Sequence, residues 1–116
     1  MPPLKDFDFE KRELEINEEL EAVLWAESNA WVVRKIEYPG KRSCPDRLFA
    51  GHGVILLIEM KKPSARNKKL GGLSKGQELE FARYAAVGIP VKVCYTAKEA
   101  IEYLQGFMID DYEITL

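Results

Sequence analysis

The run Val54-Ile55-Leu56-Leu57-Ile58 passes without a turn into Glu59-Met60-Lys61. An apolar run this short reads as a buried strand, and this one ends in a carboxylate and an ammonium. Side chains alternate across a strand, so Glu59 and Lys61 share one face and Met60 takes the other. Burying a lone charge costs several kcal/mol unless it is paired, holds a metal or sits at a wet cleft. A second charged motif, Cys44-Pro45-Asp46, stands one hairpin upstream. The residues themselves suggest Asp46 and Glu59 as metal ligands, with Lys61 handling a nucleophile or a phosphate.

A chain of 116 residues makes one domain with a core of roughly two layers. Nearly half of the residues are hydrophobic, which fits a globular chain rather than a disordered one. The start, Met1-Pro2-Pro3-Leu4-Lys5-Asp6, has no apolar leader, and no apolar run is long enough to span a bilayer. Two cysteines, Cys44 and Cys94, form no disulfide framework, so a cytoplasmic protein without membrane attachment is expected. Cys44 with His52 suggests zinc only weakly, because no second pair stands at ligand spacing.

The net charge of −2 hides a segregation. Residues 34 to 75 hold eleven lysines and arginines against Glu37, Asp46 and Glu59, while both flanks are acidic. A basic middle on a mildly acidic chain suits contact with a polyanion on one face. Lysine-rich loops are also ordinary solvated surface, but this one surrounds both charged motifs.

Residues 10 to 28 read as a helix with Ile16, Leu20, Val23 and Leu24 on the core stripe and Glu15, Glu18, Glu19 and Glu21 mostly on the wet side. Ala30 to Tyr38 is rich in β-branched and aromatic residues and reads as a strand stopped by Pro39-Gly40. Arg47 to Ala50, the turn Gly51-His52-Gly53 and Val54 to Met60 read as a hairpin. Lys62 to Gly72 lacks periodicity and reads as a loop that is mobile when unbound. Ser74-Lys75-Gly76-Gln77 has the form of a capping box opening a helix to about Val87. Val91 to Tyr95 is a further strand, and Thr96-Ala97-Lys98-Glu99 reads as a second capping box starting a short helix that ends at Gly106. The tail from Phe107 to Leu116 reads as an edge strand or a partner-packing segment. The order is α-β-β-β-α-β-α, an α/β chain.

In this order, Cys-Pro-Asp-Arg at 44–47, Ile-Glu-Met-Lys at 58–61 and Leu-Ser-Lys-Gly-Gln at 73–77 resemble the PD-(D/E)xK nuclease superfamily, and within it the VRR-NUC family. The resemblance runs from about Glu13 to Leu104. It implies a restriction-endonuclease-like fold, a mixed central sheet flanked by helices. It also implies a nuclease dependent on Mg²⁺ or Mn²⁺, with the metal held by Glu13, Asp46, Glu59 and the carbonyl of Met60. Asp46, Glu59, Lys61 and Gln77 would then be the catalytic set. Small stand-alone members, often from phages, resemble homodimeric nucleases selective for branched DNA such as Holliday junctions or flaps. This chain looks like that stand-alone type.

Two departures stand out. Many relatives have glycine two residues before the Pro-Asp, where this chain has Ser43. The helical ligand is Glu13 if Ile16 and Leu20 mark the inward stripe, with Glu15 in reserve.

Two carboxylates about 4 Å apart repel by roughly 4 kcal/mol at an effective dielectric near 20, and a divalent ion reverses that sign. Asp46 and Glu59 therefore make better sense as a cation-binding pair. The plainer alternatives are a turn cap for Asp46, an exposed charge pair for Glu59 and Lys61, and a simple capping role for Gln77. Trp25 and Trp31 read as core, and His52 as a turn residue. Arg42, Arg47, Lys62, Lys68 and Lys69 are expected to contact backbone phosphate without reading sequence. The rival readings are a non-catalytic DNA-binding protein on a nuclease fold, and a phage protein-interaction module.

Overall fold

Four strands pair in the order β1-β2-β3-β4: β1 Val32–Lys35, β2 Arg47–Gly51, β3 Val54–Met60 and β4 Val91–Cys94. The first three are antiparallel, with Val33 opposite Phe49 and Phe49 opposite Leu56. β4 adds parallel to β3, with Glu59 opposite Val93. A parallel neighbour needs a crossover, and α2, Lys75–Ala86, supplies it. The computed structural model describes residues 18–40 and 43–109. Helix α1 covers residues 18–28 of these, and α3 covers Ala97–Gln105. The sheet is mixed and flanked by helices, as the sequence predicts.

The hairpin forms because His52 and Gly53 both adopt left-handed backbone (φ 50° and 83°) between two apolar strands. α2 starts at a complete capping box: Ser74 Oγ accepts from the Gln77 amide, and the Gln77 side chain accepts from the Ser74 amide. The second expected capping box forms only by half: Thr96 Oγ1 accepts from the Glu99 amide, but the Glu99 carboxylate accepts from the Tyr95 amide rather than from Thr96.

The main core joins Trp31, Val33, Phe49, Leu56, Ile58 and Cys94 to Ala22 and Ala26 of α1 and to Ala100 and Leu104 of α3. Cys94 is sealed in it, and burial pushes its thiol up to about 11. Leu57 and Phe81 are also buried, Leu57 on the strand face shared with Glu59.

Helix α1 departs from expectation. Leu20 and Leu24 are exposed, at 47% and 54%, while Ala22 and Ala26 are buried. The helix turns its alanines to the core because small side chains let it approach closely, and Trp31 and Phe49 supply the bulk there. The inward stripe is thus rotated from the one read through Ile16 and Leu20.

β1 is shorter than Ala30 to Tyr38. Ala30 adopts left-handed backbone (φ 67°), and the ladder with β2 ends at Lys35. The Lys62–Gly72 loop is also better structured than expected, with 3₁₀ turns at Pro63–Ala65 and Lys69–Gly72. Residues 107–109 form no strand, and the rest of the tail lies outside the described residues. No helix among the described residues is long and apolar enough to cross a membrane.

Candidate active site

Asp46 leads into β2 and Glu59 sits near the end of β3. Extending the register in which Arg47 faces Ile58 places Asp46 opposite Glu59. The two residues read as a pair thus meet across one antiparallel step. Lys61 lies two residues beyond Glu59, and its backbone amide donates to the Cys94 carbonyl at 2.9 Å, which continues the β3–β4 junction past the last ladder pair.

Glu59 is 6% exposed. Its Oε2 accepts from Gln77 Nε2 at 3.1 Å and lies 3.5 Å from Lys61 Nζ. Its Oε1 is buried without a hydrogen-bond partner. Burial first, and the charge of Asp46 second, raise the Glu59 carboxyl above its ordinary range; Lys61 and the Gln77 amide only partly offset this.

Gln77 has two jobs at once. Its Oε1 accepts from the Ser74 amide at 3.0 Å, which completes the capping box, and from Lys61 Nζ at 3.1 Å. Its Nε2 is left to hold Glu59. The cap and the site readings are therefore one arrangement.

Asp46 is also raised, by burial first and then by the charge and hydrogen bonding of Glu19; Arg47 and Lys35 pull the other way. Glu19 is a site residue that the sequence reading missed. It belongs to α1, accepts from Arg47 Nε at 2.8 Å, and lies near enough to Asp46 for its charge to raise that carboxyl. The available signal was its spacing: Glu19 stands three and seven residues before Ala22 and Ala26, which face the core. Glu13 and Glu15, the expected helical ligands, lie outside the described residues, as does Arg42. The reason for preferring Glu13 was an inward Leu20, and Leu20 faces outward.

Arg47 is bound to Glu19 within the fold, whereas Lys62, Lys68 and Lys69 are exposed on the loop after Lys61. Cys44 and His52 serve different partners, Cys44 the Ile36 carbonyl and His52 the Asn29 carbonyl.

A hard divalent cation fits this donor set. Two raised carboxylates face each other, and one of them has a buried, unpartnered oxygen. Mg²⁺ commonly takes only one or two protein carboxylates and keeps several waters. Among the described residues no three histidine, cysteine or acidic side chains gather into a metal-holding cluster, so any cation here relies on few protein donors.

No family profile matches the sequence, and no curated protein matches it. A solved structure described as a VRR_NUC domain does match: TM-score 0.64, 26% identity, 81% of this chain and 92% of that one.

Proposed function

We propose that this chain, which is similar over 81% of its length to a VRR_NUC domain structure, is a metal-dependent DNA endonuclease that hydrolyses phosphodiester bonds. The observation that carries this reading is the unpartnered buried oxygen of Glu59, opposite Asp46 and beside Lys61. A purely structural carboxylate would have both oxygens satisfied.

Asp46, Glu59 and the Met60 carbonyl would hold Mg²⁺ or Mn²⁺. Such a cation supplies Lewis-acid charge against the scissile phosphate. Lys61 would donate a hydrogen bond from Nζ to a phosphate oxygen or to the attacking water. Gln77 fixes the ammonium by accepting from it at 3.1 Å. In the hydrolysis, water oxygen bonds to phosphorus and the bond to the leaving nucleotide oxygen breaks. The water's proton is lost and the leaving oxygen gains one.

The basic stretch around the motifs supports sequence-independent grip on the backbone, with affinity that falls steeply as salt rises. Branched DNA as the preferred substrate, action as a homodimer and a cytoplasmic, phage-type setting are proposed on the resemblance of the motifs to that nuclease family.

The test is cleavage of labelled four-way junction, flap, single-stranded and duplex DNA, with Mg²⁺, Mn²⁺ or EDTA, beside Glu59→Gln. Metal-dependent cutting of the branched forms that disappears in the variant is the expected result. Salt-sensitive binding with no cutting under either metal would leave a DNA-binding protein on a nuclease fold.

A further inference from the structure

The segment that joins Lys61 to the cap of α2 carries five basic residues, Lys61, Lys62, Arg66, Lys68 and Lys69, and there is no carboxylate between Glu59 and Glu78. Repulsion alone would leave such a loop open. It is instead folded into two turns, and a set of contacts clasps it to the junction of β4 and α3.

Tyr95 Oη donates to the Gly71 carbonyl at 2.7 Å. Arg66 lies with its guanidinium 4.6 Å from the centre of the Tyr95 ring and is ion-paired with Glu99. Glu99 in turn accepts from the Tyr95 backbone amide at 2.7 Å. One carboxylate thus holds both the arginine and the residue that bears the phenol. The closure is tight, because Gly71 is left-handed (φ 63°) and a Cβ there would run into Tyr95 Oη.

Core packing does not account for this order, since Ala65 is the one buried residue from Lys62 to Gly72. Holding one backbone conformation costs about 1–2 kcal/mol per residue. A loop already ordered before its partner arrives spares that cost on binding.

We propose that Tyr95, Arg66 and Glu99 are positioning residues that hold this strap as a preformed phosphate-binding surface, presenting Lys68 and Lys69 to the DNA backbone beside the scissile phosphate. The proposal rests on the nuclease reading for its partner, and on the contacts above for its clasp.

Tyr95→Phe removes one hydroxyl and leaves the ring under Arg66. Amide hydrogen exchange of the DNA-free protein reads the clasp. Faster exchange is expected at Gly71 and Leu73, whose amides bond to Lys68 and Leu70 in the strap. Duplex DNA binding in EDTA is expected to weaken about three- to tenfold. In single-turnover cleavage at saturating DNA the rate should stay unchanged. Adding Lys68→Ala and Lys69→Ala to Tyr95→Phe should weaken binding no more than the lysine changes alone, as coupled positions do. Unchanged exchange would overturn the clasp. Faster exchange with full DNA affinity, or strictly additive losses, would overturn its role in binding while the nuclease reading stands. If the intact protein binds no DNA under any salt, the nuclease reading fails, and the strap's partner with it.

Discussion

Gln77 donates through Nε2 to Glu59 Oε2 at 3.1 Å, while its Oε1 is occupied by the Ser74 amide and Lys61 Nζ. The helix cap thereby decides which way the amide points, and the amide decides which oxygen of Glu59 is engaged. Gln77→Glu separates the two roles, because glutamate serves a capping box as well as glutamine does. The variant should keep the wild-type melting temperature to within a few degrees. It should nevertheless lose at least about tenfold in cleavage rate, since a carboxylate replaces the donor to Glu59 and binds Lys61 more tightly. Gln77→Ala should lose both cap and rate, with about 1 kcal/mol of stability gone. Thermal melts beside single-turnover cleavage distinguish the two variants.

Glu59→Gln should stabilise the metal-free protein at neutral pH while abolishing cleavage. The folded Glu59 carboxyl is raised, by burial and by Asp46. A raised carboxyl contributes stability that is fully present below its unfolded value and is lost as pH rises through the folded one. The metal-free wild type should therefore lose stability on going from mildly acidic to neutral pH, and Asp46 adds in the same direction. The amide variant removes the Glu59 share of that slope. About 1 kcal/mol moves a domain of this size by several degrees, so melts across pH 4 to 8 in EDTA resolve it. A divalent cation should restore the wild type and not the variant.

Glu19→Gln should move the acidic limb of the cleavage pH profile to lower pH. After burial, the charge and hydrogen bond of Glu19 are what raise Asp46. An amide there carries no charge and can donate to the Asp46 carboxylate, so Asp46 ionises more readily. The maximal rate should also fall, because the Arg47 contact at 2.8 Å loses its ionic partner and Asp46 is held less firmly. An unmoved acidic limb would remove Glu19 from the site.

The features legible in the sequence were those settled within a few residues. The β3 run with its charged end, the hairpin turn and the capping box at Ser74 each depend on local pattern and formed as read, while the box at Thr96 formed only by half because Glu99 turns to Tyr95 and Arg66. The pairing of Asp46 with Glu59 also followed, because a hairpin fixes its register. The orientation of α1 did not follow. Which face of a helix turns inward depends on what covers it, and here the sheet accepts Ala22 and Ala26 and leaves Leu20 and Leu24 outside. Glu19 was hidden by the same misreading. The strap was opaque for a similar reason, since its order comes from Tyr95 and Glu99, which are distant in sequence.

Ser43 holds left-handed backbone, φ 73°, three residues before Asp46, a conformation that favours glycine. A non-glycine residue there is strained by about 1 kcal/mol or more. Ser43→Gly relieves that strain and gives back roughly 0.4–1 kcal/mol through a freer unfolded chain. The expected net result is a small gain, up to about 1 kcal/mol, with cleavage unchanged. Its companion is Gly76, in the first turn of α2 next to Gln77, where an added Cβ would meet Ser43 Oγ. Glycine to alanine inside a helix ordinarily stabilises by about 1 kcal/mol. Gly76→Ala should fall short of that gain here, because the new Cβ forces the Ser43 hydroxyl to turn away. Combining it with Ser43→Gly removes the obstructing hydroxyl and should release the full gain. Denaturant melts and single-turnover cleavage on the four members of this cycle give the coupling directly. Additive effects would mean that the Ser43 hydroxyl does not obstruct that Cβ.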